Sequence, residues 1–406
     1  MAIAKINAIN ASDIAKINGA SAGGVAKFNS IEMPAGGGGE SDYWVVAMEN
    51  GNVAWANKTS LSGNANWTEY DNTDGSGTPD AYDIRYGKNA SGNGIFVIAR
   101  DSSSRELQVS GEDVSQTHDW TAIDLDPSGD QYIIRWAASS SAGDAQGVWM
   151  AGGQSSANLW RSIDGAESFT NITPPSMTAE NIVGLSSDGN GKWAFGNDNK
   201  LYVSTDDGAT WDFSTPWSSG GTPGYHRGIV YTNNSWVVIY SRSNVIYARS
   251  CAASDLTDWG TEFRPTITYN NSTSDGSGTP NRTKYPRNPT STHQKATCEG
   301  VSGLVCMAMT NDKAVFTFSV NGKTITSTNN GGKWFPSDGT YTGVAGWNNS
   351  NTAEDITTDG EGNWILSCRN GDAYRSTDNG ASWTIIVDGF SGDNWAAIAA
   401  PATFPQ

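Results

Sequence analysis

Positive charge is scarce in this sequence: 25 Lys and Arg stand against 42 Asp and Glu in 406 residues, a formal net charge of −17. So acidic a chain offers no basic footprint to a phosphate backbone, and nucleic acid is not an expected partner. Anionic membrane surfaces would repel it too. No apolar run approaches the roughly 20 residues of a membrane span. The start, Met1-Ala2-Ile3-Ala4-Lys5, lacks the apolar stretch and cleavage site of a secretory signal, so any route outside a cell is expected to be another one, such as lysis. Cys251, Cys298, Cys306 and Cys368 have no CxxC spacing and are too few for a disulfide framework, which predicts buried free thiols. Asp71, Asp74 and Asp80 miss the D-x-D-x-D-G cadence of a calcium loop, and turn chemistry accounts for them. No metal and no cofactor are expected.

Aromatic residues, by contrast, make up 10% of the chain, which argues for a packed core rather than disorder. The sequence also repeats itself in two ways. Ile3-Ala4-Lys5-Ile6-Asn7 recurs as Ile14-Ala15-Lys16-Ile17-Asn18 and as Val25-Ala26-Lys27-Phe28-Asn29, with a period of 11 residues. That period suits a right-handed coiled coil, but Asn18-Gly19 and Gly23-Gly24 would interrupt a continuous helix. Single helical turns fit better, capped by Ser12 or Ser21 and stopped at Asn-Gly. One turn cannot bury its own apolar side. Ile3, Ile6, Ile14, Ile17, Val25 and Phe28 are therefore expected to dock on another protein or a symmetry mate; a flexible leader is the plain alternative. Gly36 to Gly39 form a hinge. The chain thus divides into a docking segment, 1–40, and a larger domain, 41–406.

The second repeat fills that domain. Ser204-Thr205-Asp206-Asp207-Gly208-Ala209-Thr210-Trp211 has close copies at Ser376-Thr377-Asp378-Asn379-Gly380-Ala381-Ser382-Trp383 and Ser327-Thr328-Asn329-Asn330-Gly331-Gly332-Lys333-Trp334. A drifted fourth copy, Ser162-Ile163-Asp164-Gly165-Ala166-Glu167-Ser168-Phe169, ends in Phe. In each, Asp or Asn bonds backbone amides, Gly supplies positive φ, and the aromatic ring covers the turn. These segments resemble the Asp-box, S-x-D-x-G-x-x-W, of sialidase-type β-propellers. A further hairpin precedes each box, as in Asp188-Gly189-Asn190-Gly191 before Trp193, so every unit reads as four short strands, a propeller blade.

The terminal aromatics Trp67, Trp120, Phe169, Trp211, Trp259, Trp334 and Trp383 are spaced by 53, 49, 42, 48, 75 and 49 residues. This rhythm predicts an all-β, seven-bladed propeller with four-stranded antiparallel blades and one insertion within Glu262 to Thr297. The first blade starts at Tyr43-Trp44-Val45-Val46 and lacks an innermost strand. Trp395-Ala396-Ala397-Ile398-Ala399 is expected to supply it, closing the circle with both chain ends and removing exposed edges.

In that architecture the boxes share one face and are structural. The opposite face carries the inter-blade loops, including the near copies Asp74 to Pro79 and Asp275 to Pro280. Tyr70, Tyr82, Trp217, Tyr225, Tyr269, Tyr285, Tyr341 and Trp347 are candidates there for stacking on sugars or contacting a protein, packing on a blade being the alternative. Arg85 and Arg135 take the same position in successive inner strands, with Arg227 near it in a third. The propeller resemblance implies a sialidase-like use of three arginines for a substrate carboxylate. The Arg-Ile-Pro signature of that family is absent, and no motif places its Tyr-Glu nucleophile pair or acid Asp loop, so no catalytic residue is assigned. Pairing of these arginines with acidic neighbours is the other reading.

The leader resembles short segments of structural and tail-fibre proteins of marine bacteriophages. That resemblance implies a non-enzymatic virion protein: a tail fibre, an adhesin, or a decoration of capsid or tail. Residues 1–40 would hold it to other virion proteins, and a propeller face would meet a host-surface glycan or protein. Homo-oligomerisation is compatible with this layout. A sialidase-like or xyloglucan-degrading glycoside hydrolase and a cellular assembly factor are the alternatives on the same scaffold.

Overall fold

The computed structural model describes most of residues 41–262 and 353–401 and, between 267 and 343, the backbone of the strands. Residues 1–40, 402–406 and the remaining loops lie outside the described residues, and with them the expected docking positions from Ile3 to Phe28. All described residues belong to the compact unit Gly39–Gln406.

The chain forms antiparallel meanders in succession. The first holds β1 (Tyr43–Met48), β2 (Val53–Asn57) and β3 (Trp67–Tyr70). The next is β4 (Ala81–Lys88), β5 (Gly94–Arg100), β6 (Leu107–Ser110) and β7 (Trp120–Ile123). Then come β8 (Gln131–Ala137), β9 (Val148–Gly153), β10 (Leu159–Ser162) and β11 (Thr170–Asn171). They are followed by β12 (Ile182–Ser187), β13 (Trp193–Asn197), β14 (Lys200–Ser204) and β15 (Asp212–Ser214). A three-stranded sheet follows, made of β16 (Tyr225–Thr232), β17 (Ser235–Arg242) and β18 (Val245–Ala252). The short hairpin β19 (Ile267–Tyr269) and β20 (Arg282–Lys284) precedes a six-stranded sheet. That sheet comprises β21 (Ala296–Val301), β22 (Leu304–Met309), β23 (Ala314–Ser319), β24 (Ile325–Asn329), β25 (Lys333–Phe335) and β26 (Thr342–Gly343). After β27 (Ala353–Thr358), β28 (Trp364–Cys368), β29 (Ala373–Ser376) and β30 (Thr384–Val387), the chain ends its sheets at β31 (Trp395–Ala399).

One strand of each sheet packs on its counterpart in the next: β4 on β8, β8 on β12, β12 on β16, β16 on β21, β21 on β27, β27 on β31, and β31 on β4. A cycle of antiparallel sheets joined through their inner strands is a β-propeller. The expected closure is present. β31 completes the first sheet by pairing antiparallel with β1, with Val45 opposite Ala399 and Val46 opposite Ile398.

Because sheets pack face to face, strands near the axis are covered on both sides and read as continuous apolar runs rather than alternations. β5 (Gly-Ile-Phe-Val-Ile-Ala-Arg) is buried at every position, as are β9 and β13. Trp149, Trp193 and Trp364 near the start of second strands are fully buried. Each stands opposite the serine that opens a box: Ser162, Ser204 and Ser376. The core is therefore a series of layers between adjacent sheets. One joins Ile95, Val97 and Ala99 of β5 to Ile134 and Trp136 of β8 and Trp149 of β9. Full burial of one such side chain contributes about 1.5–3 kcal/mol.

Two sheets depart from the expected four strands. After β18 the Gly260 N–H bonds Ser250 O (2.9 Å), and the described residues form no fourth strand there. Trp259 remains buried in its layer. The other departure is the outward extension of the sheet β21–β26. The insertion expected within Glu262 to Thr297 contains the separate hairpin β19–β20.

Candidate functional site

The box turns come first, because they decide whether their aspartates are available for chemistry. Ser204 Oγ donates to Asp206 Oδ1 (2.8 Å) and accepts from the N–H of Gly208 (3.0 Å), whose φ is +74°. Asp206 also accepts from Thr210 N–H (2.9 Å) and Thr210 Oγ1 (2.6 Å). Trp211 Nε1 donates to Gly208 O (3.1 Å), closing the ring over the turn. The drifted copy repeats the set with Ser162, Asp164, Ala166 and Ser168. Partial burial opposes ionisation of Asp164 and Asp206, but these hydrogen bonds outweigh it and hold both carboxyls below the usual range. Both aspartates serve the turn. Ser376 and Trp383 are buried, while Asp378, Gly380 and Gly331 lie outside the described residues; Ser327 and Trp334 sit on β24 and β25.

The sequence reading missed Asp207, the fourth residue of its box. At φ +57° its carboxylate accepts from Ser139 Oγ (3.1 Å), Ser140 N–H (3.1 Å) and Ser140 Oγ (2.6 Å), in the loop between β8 and β9. It ties one sheet to its predecessor.

At the axis, five inner strands bulge at one position: between Ala81 and Asp83 in β4, Gln131 and Ile133 in β8, Val183 and Leu185 in β12, His226 and Gly228 in β16, and Ala353 and Asp355 in β27. An inner edge has no ladder partner on its axial side, so its amides need other acceptors. Asp83 Oδ2 accepts Ile134 N–H of the next inner strand (3.0 Å), and Asp355 Oδ2 accepts Ile398 N–H of β31 (3.0 Å). Ser186 Oγ accepts Tyr231 N–H between β12 and β16 (3.1 Å).

These carboxylates also hold the two arginines. Arg85 Nη1 lies 2.8 Å from Asp83 Oδ1 and 3.1 Å from Asp355 Oδ2; Arg135 Nη1 lies 2.6 Å from Asp83 Oδ2. None of the four side chains is more than 5% exposed. Arg85 and Arg135, expected on a ligand face, are thus buried in a neutral chain of two guanidiniums and two carboxylates. The physical reason is desolvation: a cation buried here is tolerated only because fixed anions meet it. Asp83 and Asp355 carried a signal, Asp-Ile at the same point of two inner strands. Arg227 lies on β16 and its side chain is outside the described residues. Its neighbour His226 is fully buried, and burial pushes its pKa down to about 3, so it is neutral at pH 7.

The loop face holds the remaining polar cluster. Tyr82 is half-buried and donates to Asp101 Oδ2 (2.9 Å). Nearby, Glu49 Oε2 receives Arg369 Nη2 (3.0 Å) and Asn394 Nδ2 (2.7 Å). Partial burial, then the charges of Glu49 and Asp101, raise the pKa of Asp80, with Arg369 opposing. These residues come from β4, the β1–β2, β5–β6 and β28–β29 loops and the segments before β4 and β31, so the cluster spans the closing seam. Tyr70 corrects another expectation. It is buried in the core, where its hydroxyl accepts from Trp120 Nε1, because the ring fills a layer between sheets. Tyr225 lies on β16 with its side chain outside the described residues, as do Trp217, Tyr285, Tyr341 and Trp347 entirely. Among the described residues no group of three His, Cys, Asp or Glu is placed to hold a metal, and no helix is long and apolar enough to cross a membrane.

No known protein family matches the sequence, and no curated protein does. Similar solved structures include YCF48 bound to D1 peptide, at 14% identity and a TM-score of 0.46, covering 78% of this chain and 91% of that one. A catalytically inactive virginiamycin B lyase from Staphylococcus aureus with quinupristin is similar at 15% identity and a TM-score of 0.47, covering 79% and 88%. An ancestral GH74 enzyme matches at 14% identity and a TM-score of 0.44, over 86% of this chain and 54% of that one. These β-propellers differ in what they do, and no ligand or activity passes from them to this chain.

Proposed function

We propose that this protein is a non-enzymatic binding module of a bacteriophage particle. In this reading a seven-bladed ring is carried on residues 1–40 and presents its inter-blade face to a host-surface glycan or protein. One observation supports the non-catalytic part above all: Arg85, Arg135, Asp83 and Asp355 neutralise one another in a buried chain. Hydrolysis of a glycosidic bond uses two carboxylates that reach the sugar, and this pair is engaged in holding inner strands together. The exposed polar groups stand instead at the seam, around Tyr82, Asp101, Glu49 and Arg369.

The virion assignment is supported by the leader's 11-residue repeat and the glycine hinge after it. Its test is mass spectrometry of purified particles with and without residues Met1 to Gly39. The expected result is a stoichiometric component lost on deletion; a protein found only in cellular assemblies would overturn it. A glycoside panel tests the other half, where turnover abolished by Asp83→Asn would restore the hydrolase reading.

A further inference from the structure

Four Asn-Gly steps lie among the described residues: Asn50-Gly51, Asn93-Gly94, Asn190-Gly191 and Asn370-Gly371. Such a step can react with itself, because no Cβ shields the glycine nitrogen from the asparagine side chain. That nitrogen attacks the asparagine Cγ, and the side-chain amide leaves as ammonia with the proton of the attacking N–H. The product is a cyclic imide. Water adds to one imide carbonyl and breaks its bond to nitrogen, giving aspartate at one carbonyl and isoaspartate at the other. The rate in a folded chain therefore depends on whether the fold holds the glycine N–H or the asparagine amide in place.

At three of the steps one reacting group is held. Gly51 N–H donates to Met48 O (3.0 Å) and Gly371 N–H to Cys368 O (3.0 Å), so both nucleophiles are tied into turns. Asn93 is half-buried, and its side-chain nitrogen donates to Glu112 Oε1 (2.6 Å). Asn190 differs from all of them. It is exposed in the turn between β12 and β13. Its backbone N–H donates to Asp188 Oδ1 (2.8 Å), as does Lys192 N–H (3.0 Å), which fixes both flanks of the step. The N–H between them, that of Gly191, has no partner among the described residues. The Asn190 side-chain nitrogen reaches only Asp188 O, at 3.2 Å, the long end of the normal range.

We propose that Asn190 is a site of spontaneous deamidation in the folded protein, and that its isoaspartyl product loosens the contact between the β8–β9 loop and the β14–β15 turn. Gly191 O accepts the N–H of Asp207 (2.8 Å), and Asp207 is the residue whose carboxylate holds Ser139 and Ser140. Gly191 has little room to adjust. Its φ is +91°, and a Cβ on it would stand 2.8 Å from Ser140 Cβ. Isoaspartate adds a methylene to the main chain directly before Gly191 and carries Gly191 O away from Asp207. Aspartate leaves the main chain unchanged. The matching turn at 359–362 reads Asp-Gly-Glu-Gly, with an acidic residue already standing where Asn190 does.

The test incubates the full chain in mildly alkaline buffer, native and in urea, and follows each step by peptide mass spectrometry, with isoaspartyl methyltransferase labelling to count isoaspartate. In the native protein Asn190 should react at least about fivefold faster than Asn50, Asn93 or Asn370, because each of those must first release a hydrogen bond. In urea the four rates should converge. The native rate should rise with pH, since the attacking N–H is deprotonated on the way to the imide. Aged protein should show faster hydrogen exchange at the Asp207 amide and a lower thermal midpoint. Asn190→Asp should leave both near the wild-type values, and Asn190→Gln, whose longer side chain closes an imide poorly, should stay unlabelled at this turn. Native rates that are equal at the four steps, or an Asn190 lead that persists in urea, would overturn the site. Isoaspartate at 190 with unchanged exchange at Asp207 would overturn the loosening.

Discussion

Arg85 and Asp355 are 270 residues apart in sequence and 3.1 Å apart in space, and β31 lies between the two strands that carry them. The seam where the chain's last strand joins its first sheet is therefore bridged by an ion pair. Asp355 holds both sides, since it also accepts the Ile398 N–H of β31 itself.

Asp355→Ala should destabilise the domain by about 3–5 kcal/mol, because it strands a buried guanidinium and an edge amide together. Asp355→Asn, which keeps an acceptor for Ile398, should cost less. Urea midpoints of the two variants, with hydrogen exchange across Trp395–Ala399, provide the measurement; an equal cost would remove β31 from the account.

Trp395 is fully buried in the seam layer beside Trp67, with ring centroids 5.2 Å apart. Trp395→Ala is expected to cost about 3–5 kcal/mol. A chain ending at Phe390 should show no cooperative thermal transition. Retention of that transition would mean that the ring closes without β31.

The carboxyls of Asp164 and Asp206 lie below the usual range when folded, so they stabilise the protein at pH above the unfolded value of about 3.9. This contribution fades as pH falls through the folded values. The double variant Asp164→Asn, Asp206→Asn should therefore lag wild type by a constant margin between about pH 5 and 7, with the gap closing below about pH 4. Urea titrations across that range check it. A gap that widens on acidification would reverse the sign.

Asp80 behaves in the opposite sense. Its raised pKa means that ionisation opposes folding at neutral pH. Asp80→Asn should raise stability at pH 7 and change little at pH 3, as differential scanning fluorimetry would show.

Cys251 and Cys368 are free and buried. Burial pushes the Cys251 thiol up to about 12 and Cys368 well above its ordinary value. Neither should be alkylated by iodoacetamide at pH 8 in the native protein, and both should react in urea. Peptide mapping distinguishes them, and native labelling at Cys368 would contradict its burial.

The local features were legible in the chain. Ser162 to Phe169 and Ser204 to Trp211 fold into the turns that their residues dictate, because every bond in such a turn is made within a few positions. The closing strand was legible for a similar reason: Tyr43 to Met48 lacks an inner partner and Trp395 to Ala399 is apolar at every position. What each polar side chain meets was not legible. Tyr70 reads as a loop aromatic and is core; Arg85 and Arg135 read as ligand groups and are half of a buried neutral chain. Strand periodicity and turn chemistry are properties of neighbours in sequence, and the sequence alone determined them. The pairing of Arg85 with Asp355 was decided only by the tertiary structure, because closing the ring brings distant inner strands together in a low-dielectric centre where an unpaired charge is too costly to keep.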